Sequence, residues 1–240
     1  MNASPPAAPG DAAPATGAHR RIRSYVLRQG RHSTAAARAL AVLAPRYSLA
    51  WRAEAPDWRH VFGRDAPLVL EIGFGSGATT AEIARTHPHV DFVAVDVYER
   101  GVANLARLLD AADLGNVRIV RHDAVDVVAD MIAPATLGGV HVYFPDPWPK
   151  KRHHKRRLLQ AAFVHALALR LRPGGYLHVA TDWQPYADEI LATCSAEPLL
   201  ANTATGFAPR PAWRPRTKFE ARGLALGHAV CDILFKRADG

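Results

Sequence analysis

The chain has 240 residues, 49% of them apolar, and a formal net charge of +8. That length supports one large α/β domain or two small ones, and no run is long and apolar enough to span a bilayer. Its two cysteines, Cys194 and Cys231, form neither a C-x-x-C pair nor a zinc-finger spacing, which argues against a zinc-ribbon protein and fits a reducing cytoplasm.

Residues 1–19 are mostly Ala, Pro and Gly with one acid and no Arg. They lack the charged-then-apolar layout of a signal peptide and read as a disordered tail. Residues 20–66 read as a basic arm and helix. Arg20, Arg21, Arg23, Arg28, Arg31 and Arg38 fall here with Tyr25 among them, Gly30 is a break, and Ser33 is positioned to cap a helix through residue 43. The arm either packs on the domain or contacts phosphates. From Pro67 to the end a third region alternates strand and helix. Strands are expected over 68–72, 90–96, 117–120, 140–144, 176–181 and 228–235. Helices are expected over 78–86, 99–112, 124–132, 158–171 and 186–194, with a stop and turn at 172–175. Such alternation means a mostly parallel sheet covered on both faces, with right-handed crossovers that bring the strands' carboxyl ends to one rim. Asp96, Asp123, Asp146 and Asp182 follow strands, and Glu71 lies near the end of the first. Open α/β sheets bind ligands at that rim.

Residues 71–77 read Glu-Ile-Gly-Phe-Gly-Ser-Gly. Gly73, Gly75 and Gly77 permit a sharp turn and close approach of a ligand to backbone. Gly73, Gly75 and Ala78 also satisfy G-x-G-x-x-A, a dinucleotide fingerprint. Glu71 separates the two readings, because a carboxylate just before the first glycine repels a pyrophosphate and suits a ligand with a cationic amino-acid end. S-adenosylmethionine carries an α-ammonium and a sulfonium and no phosphate. Asp96 then sits where a carboxylate accepts ribose hydroxyls, and Asp123 where an adenine amino group donates.

Residues 144–157 read Phe-Pro-Asp-Pro-Trp-Pro-Lys-Lys-Arg-His-His-Lys-Arg-Arg. Two prolines hold Asp146 on a rigid turn. Six Lys/Arg with no acid occupy Lys150 to Arg157, so most of the chain's net charge lies in eight residues, an address for phosphates. Trp148 either stacks a flipped base or anchors the turn. Arg156 and Arg157 begin the next helix, where cations oppose the helix dipole and call for an external anion. His153 and His154 are adjacent and point apart on any regular element. No H-E-x-x-H occurs, and no metal is expected.

Together Glu71–Gly77, the 144–157 segment, Ala180-Thr181-Asp182-Trp183, and residues 214–223 (Arg-Pro-Arg-Thr-Lys-Phe-Glu-Ala-Arg-Gly) resemble the bacterial tRNA (guanine-N7)-methyltransferases. Arg28-Gln29-Gly30-Arg31 in the arm is also similar. The likeness runs from about Arg20 to the end. It implies a Rossmann-like class I methyltransferase with about seven strands, the last antiparallel, and methyl transfer from S-adenosylmethionine to N7 of the variable-loop guanine of tRNA. Motif by motif, Glu71, Asp96, Asp123 and Asp146 would line the cofactor site, with Asp146 also at the reacting centre. Lys150, Asp182, Thr217, Lys218, Phe219 and Glu220 would hold the substrate. Arg152, His153, His154, Lys155, Arg156 and Arg157 would touch RNA. Asp96 stands where many relatives have Glu, and residues 1–19 have no counterpart.

Guanine N7 offers an in-plane lone pair and carries no proton, so the reaction needs alignment and no general base. Asp146 is the expected catalytic group, orienting guanine donors and facing positive charge as it moves to the purine. Other readings are a non-catalytic RNA-binding protein on a relic cofactor fold, a nicotinamide-dependent oxidoreductase, which Glu71 opposes, and a small-molecule methyltransferase, which leaves the cationic run unexplained. Monomer and homodimer both stay open.

Overall fold

Short apolar runs rich in Val, Leu and Ile dictate the centre of the molecule. In the computed structural model, which describes residues 23–25, 33–216, 220 and 229–239, seven strands form one sheet. They are β1 (Leu68–Ile72), β2 (Asp91–Asp96), β3 (Val117–Arg121), β4 (Leu137–Tyr143), β5 (Leu171–Thr181), β6 (Leu200–Asn202) and β7 (Cys231–Arg237). Their order is β3-β2-β1-β4-β5-β7-β6. β1 to β5 pair in parallel, and β7 runs antiparallel to both β5 and β6. Strand order reverses between β1 and β4, which is where such sheets hold ligands.

Alternation of side chains along each strand sorts the sheet into two faces. Leu68, Leu70, Ile72, Val93, Val95, Val140 and Val142 share one apolar layer with Val127, Val164 and Ile190 from the helices behind them. Val69, Phe92, Ala94, Ile119 and Tyr143 face the other way, against Ile83, Val102 and Leu105. Each fully buried side chain of this size contributes about 1.5–3 kcal/mol. The helices are α1 (Thr34–Arg38), α2 (Ala44–Tyr47), α3 (Trp58–Phe62), α4 (Ala78–Thr86), α5 (Glu99–Ala111), α6 (Ala124–Asp130), α7 (Ala161–Arg170) and α8 (Gln184–Ser195). No helix among the described residues is long and apolar enough to cross a membrane.

Several boundaries differ from the sequence expectation. Ser33 caps α1 through Ala36 N, as expected, but the helical run continues to Tyr47 through a π-helical turn, Ala39–Leu43. Pro45 lacks the N–H that a regular turn needs, and the wider turn precedes it. The strand expected over 140–144 is β4 and ends at Tyr143, because Phe144 takes a left-handed conformation at φ 51°. The stop at 172–175 is a bulged excursion inside β5. Leu137 pairs with Leu171 and Gly139 with Tyr176, and Gly174 turns the chain at φ 72°. β6 and the Asp57-capped α3 went unforeseen. The first nineteen residues, the arm motif at 28–31, and Thr217, Lys218 and Phe219 lie outside the described residues.

Candidate active site

The turn after β1 brings backbone to a ligand-sized opening. Gly73 and Gly75 have φ of 76° and 57°, and a Cβ at either would meet nothing within 4 Å. Gly77, expected at the cofactor, instead serves packing: it is buried at the start of α4, and a Cβ there would lie 2.6 Å from Leu105 Cβ. Gly101 in α5 is the counterpart, since its Cβ would fall 2.2 Å from the Gly75 carbonyl oxygen. Helix α5 is thereby pressed against the loop and sets its height.

Three carboxyls converge here. Glu71 is only 3% exposed, and burial raises its pKa to about 7, with Asp96 adding to the rise and Thr80 opposing it. Thr80 acts on the group yet completes no hydrogen bond: Glu71 Oε2 and Thr80 Oγ1 are both buried without a partner. Asp96 closes β2 with three backbone bonds, from Gly75 N (2.8 Å) to Oδ2 and from Val97 N (2.6 Å) and Tyr98 N (3.1 Å) to Oδ1. Burial raises its pKa, the three N–H donors pull it down, and Asp146 pushes it up. Asp146 is solvent-exposed, with a pKa raised by partial desolvation, and makes no hydrogen bond among the described residues. Gly73, Gly75, Asp96, His122, Phe144 and Asp146 line one cavity of about 270 Å³, roofed by Ser24 and Tyr25. A wider groove of about 880 Å³ opens beyond Gly75 and Ser76 between α1 and α5. The chemistry belongs to the smaller cavity, which Asp96 and Asp146 line; Glu71 is buried one residue before Ile72 and is not itself in the lining.

Asp123 is buried and caps α6, accepting from Val125 N at 3.0 Å, while its neighbours His122 and Ala124 line the cavity. His122 stacks on Trp51, centroids 4.7 Å apart and planes 11° from parallel. The residues present suit S-adenosylmethionine. An orphaned buried carboxylate oxygen awaits a cationic group, two glycines present bare backbone, and Asp96 keeps acceptor capacity at the end of β2.

The Asp146 turn is strained and fastened. Phe144 and Trp148 have φ of 51° and 45°, positions that bulky residues rarely occupy and that collect at functional sites. Phe144 N donates to Ala180 O at 2.7 Å, and Trp148 Nε1 donates to Ser24 O at 3.1 Å. Arg156 lies over the Trp148 ring (5.1 Å) and His153 meets it edge-on (5.8 Å), so Trp148 is occupied as an anchor of the turn.

The cationic run corrects the sequence reading in two ways. Lys151–Arg156 form a 3₁₀-helix, and α7 begins only at Ala161 after Gln160, so Arg156 and Arg157 oppose no helix dipole. Arg157 is also not an RNA contact. It is buried, donates through Nε to Pro147 O at 2.9 Å, pairs with Glu189, and covers the Tyr186 ring at 4.7 Å. Lys150, Lys151, Arg152 and Lys155 are exposed and His154 half-buried. Desolvation and then the surrounding Arg152, Arg156, Lys150 and Lys155 lower the His153 pKa. Asp182 is exposed at the end of β5 beside the exposed Trp183.

Glu220 is a third correction. It is buried, and Arg214 grips both of its oxygens (2.7 and 2.9 Å), so it does not present its carboxylate to a substrate. Sequence reasoning missed Arg214, Tyr143, His178 and Asp232, which form a buried polar group beside the turn. The available signal was a His or an Asp inside otherwise apolar strands. Among the described residues no three His, Cys, Asp or Glu gather to hold a metal.

Residues 65–233 match the family model described as "Putative methyltransferase". The tRNA (guanine-N(7)-)-methyltransferase of Paraburkholderia xenovorans is 58% identical over 218 residues, 91% of this chain and 84% of that protein. That of Burkholderia ambifaria is 57% identical over 222 residues, 92% and 87% respectively. The crystal structure of the 16S rRNA methyltransferase KamB superposes with a TM-score of 0.55 at 19% identity, covering 78% of this chain and 95% of that one, a likeness of fold. By family match and by identity over nine-tenths of its length, the chain belongs to the tRNA (guanine-N(7)-)-methyltransferase family.

Proposed function

We propose that the protein methylates N7 of a guanine in tRNA, the variable-loop guanine, with S-adenosylmethionine as donor. One observation carries the reading. An unengaged carboxylate, Asp146, stands on a strained turn between a cavity that it lines together with Asp96 and a surface of exposed cations. Bound in that cavity, the donor supplies an electrophilic methyl on a sulfonium. Glu71 would neutralise a cationic amino-acid end, Asp96 would accept from ribose, and the bare backbone at Gly73 and Gly75 would allow close approach. Asp146 accepts from the guanine's own donors and offsets charge arriving on the ring, and no proton leaves N7. Lys150 and Asp182 hold the acceptor, while Lys151, Arg152 and Lys155 hold phosphates. Alignment of this kind supplies on the order of 7–11 kcal/mol of the barrier. The test is incubation with labelled S-adenosylmethionine and unmodified tRNA, then nucleoside analysis and mapping. Label in 7-methylguanosine of the variable loop is the expected result; label in another nucleoside, or none, overturns it.

A further inference from the structure

Among the described residues Arg214 is the bulkiest of the side chains that are almost wholly buried, at 1% exposure, and it does not line the cavity. Its guanidinium is forked onto two carboxylates. Nε and Nη2 donate to Asp232 Oδ1 and Oδ2 at 2.7 and 2.9 Å, and Nη1 and Nη2 donate to Glu220 Oε2 and Oε1 at 2.7 and 2.9 Å. A buried, forked charge pair is weak evidence of stabilisation, since apolar residues of like volume often serve as well. It does fix geometry, because a planar fork admits one orientation of each carboxylate.

The chain of bonds continues past Asp232. His178 Nε2 lies 2.8 Å from Asp232 Oδ1, and His178 Nδ1 lies 3.3 Å from Trp213 Nε1 and 3.1 Å from Tyr143 Oη. Indole N–H can only donate, so Nδ1 is bare and Nε2 carries the proton. Tyr143 therefore donates its hydroxyl to Nδ1. Burial also keeps the imidazole neutral by lowering its pKa. Sheet register explains why these groups meet. Tyr143 pairs with Ala180 and Ala180 with Asp232, while His141 pairs with His178, so the polar groups occupy one face across β4, β5 and β7. Tyr143 is the last residue of β4, and Phe144, Pro145 and Asp146 follow it. Arg214 reaches the same turn a second way, with Cζ 6.0 Å from the Phe144 ring centroid.

We propose that Arg214 is a positioning residue that ties Glu220 to the turn carrying Asp146, through Asp232, His178 and Tyr143 and through the Phe144 ring. The proposal rests on the methyl-transfer reading above and adds a source for the precision of Asp146.

Tyr143→Phe removes the last donor of the relay and keeps the ring. It should lower kcat about fivefold to tenfold, the rate equivalent of one neutral hydrogen bond, with tRNA KM and cofactor Kd unchanged and Tm lower by only the few degrees that one buried hydrogen bond is worth. Arg214→Lys keeps the charge and loses the fork. It should lower kcat further, and adding Tyr143→Phe to it should have little extra effect, because both act on one relay. An unchanged kcat in Tyr143→Phe, a kcat loss that merely follows a fall in Tm, or full additivity of the two overturns the proposal. Tyr143→Phe stands alone if Arg214→Lys does not fold. Failure of the wild-type protein to form 7-methylguanosine strikes the underlying reading; a wild type that turns over beside an unaffected Tyr143→Phe strikes only the relay.

Discussion

Glu71 pairs a functional need with a cost to the fold. Its folded-state pKa of about 7 lies above the ordinary 4.5, so the ligand-free protein loses stability as pH climbs from 4.5 to about 7, by roughly 3 kcal/mol. A cationic ligand needs the ionised form. Affinity for S-adenosylmethionine should therefore fall roughly tenfold per pH unit below 7 and level off above it, with a proton released on binding near neutrality. Glu71→Gln should bind the cofactor weakly at every pH, yet resist urea better than the wild type at pH 8 and no better at pH 4. Equal urea midpoints for the two proteins at pH 8 would contradict this account. Asp146 differs in kind. It is exposed and carries no bond that the fold depends on, so Asp146→Asn should leave the urea midpoint and cofactor Kd intact while turnover drops roughly 10²–10³-fold. A stable Asp146→Asn protein with near-normal turnover removes Asp146 from the reacting centre. Glu71 stands out in the sequence because a carboxylate before a glycine turn is chemically odd, and Asp146 because two prolines enclose it. Arg214 was not, although it opens a motif that was read: nothing local distinguishes a buried arginine from a surface one when its two carboxylates lie six and eighteen residues away.

At the scale of elements, strands and helices between 68 and 132 follow from periodicity and end within a few residues of the expected positions. Here each element is a local unit and its capping is local. Legibility fails where distant partners override local preference. Arg157 looked like the start of a helix, but Pro147 O and Glu189 draw it inward, and the preceding turn stays 3₁₀. Such short i→i+3 turns hold few residues and spread their side chains in several directions. That directional spread is what sends Arg157 inside, Arg156 onto Trp148, and Arg152 and Lys155 outward. The Arg-Pro-Gly-Gly stop signal at 172–175 misled for a similar reason, since the strand partners on either side hold the bulge in the sheet. The glycine loop is legible in the sequence as a tight turn, but the division of labour within it is not. Gly77 and Gly101 are required by α5, and only Gly73 and Gly75 of the loop face open space.

For the molecule as a whole, the distribution of charge decides how it meets a polyanion. Net charge is +8, and the run Lys150 to Arg157 supplies six cations without an acid. Because Arg157 is withdrawn into the turn and Arg156 covers Trp148, the exposed cations of the run are Lys150, Lys151, Arg152 and Lys155. Each phosphate neutralised releases counterions, which gives a slope of log affinity against log salt near one unit per contact. Arg152→Gln with Lys155→Gln should therefore flatten that slope by roughly two units and weaken tRNA binding at low salt, while kcat at saturating tRNA and cofactor Kd hold. Arg157→Lys should do the reverse. Its slope should match the wild type, because it meets no phosphate, and its kcat should fall, because the Asp146 turn loses the bond to Pro147 O. Filter binding across a salt series beside saturating turnover separates the two. A flattened slope in Arg157→Lys, or an unchanged one in Arg152→Gln with Lys155→Gln, means that RNA approaches this molecule over a different face.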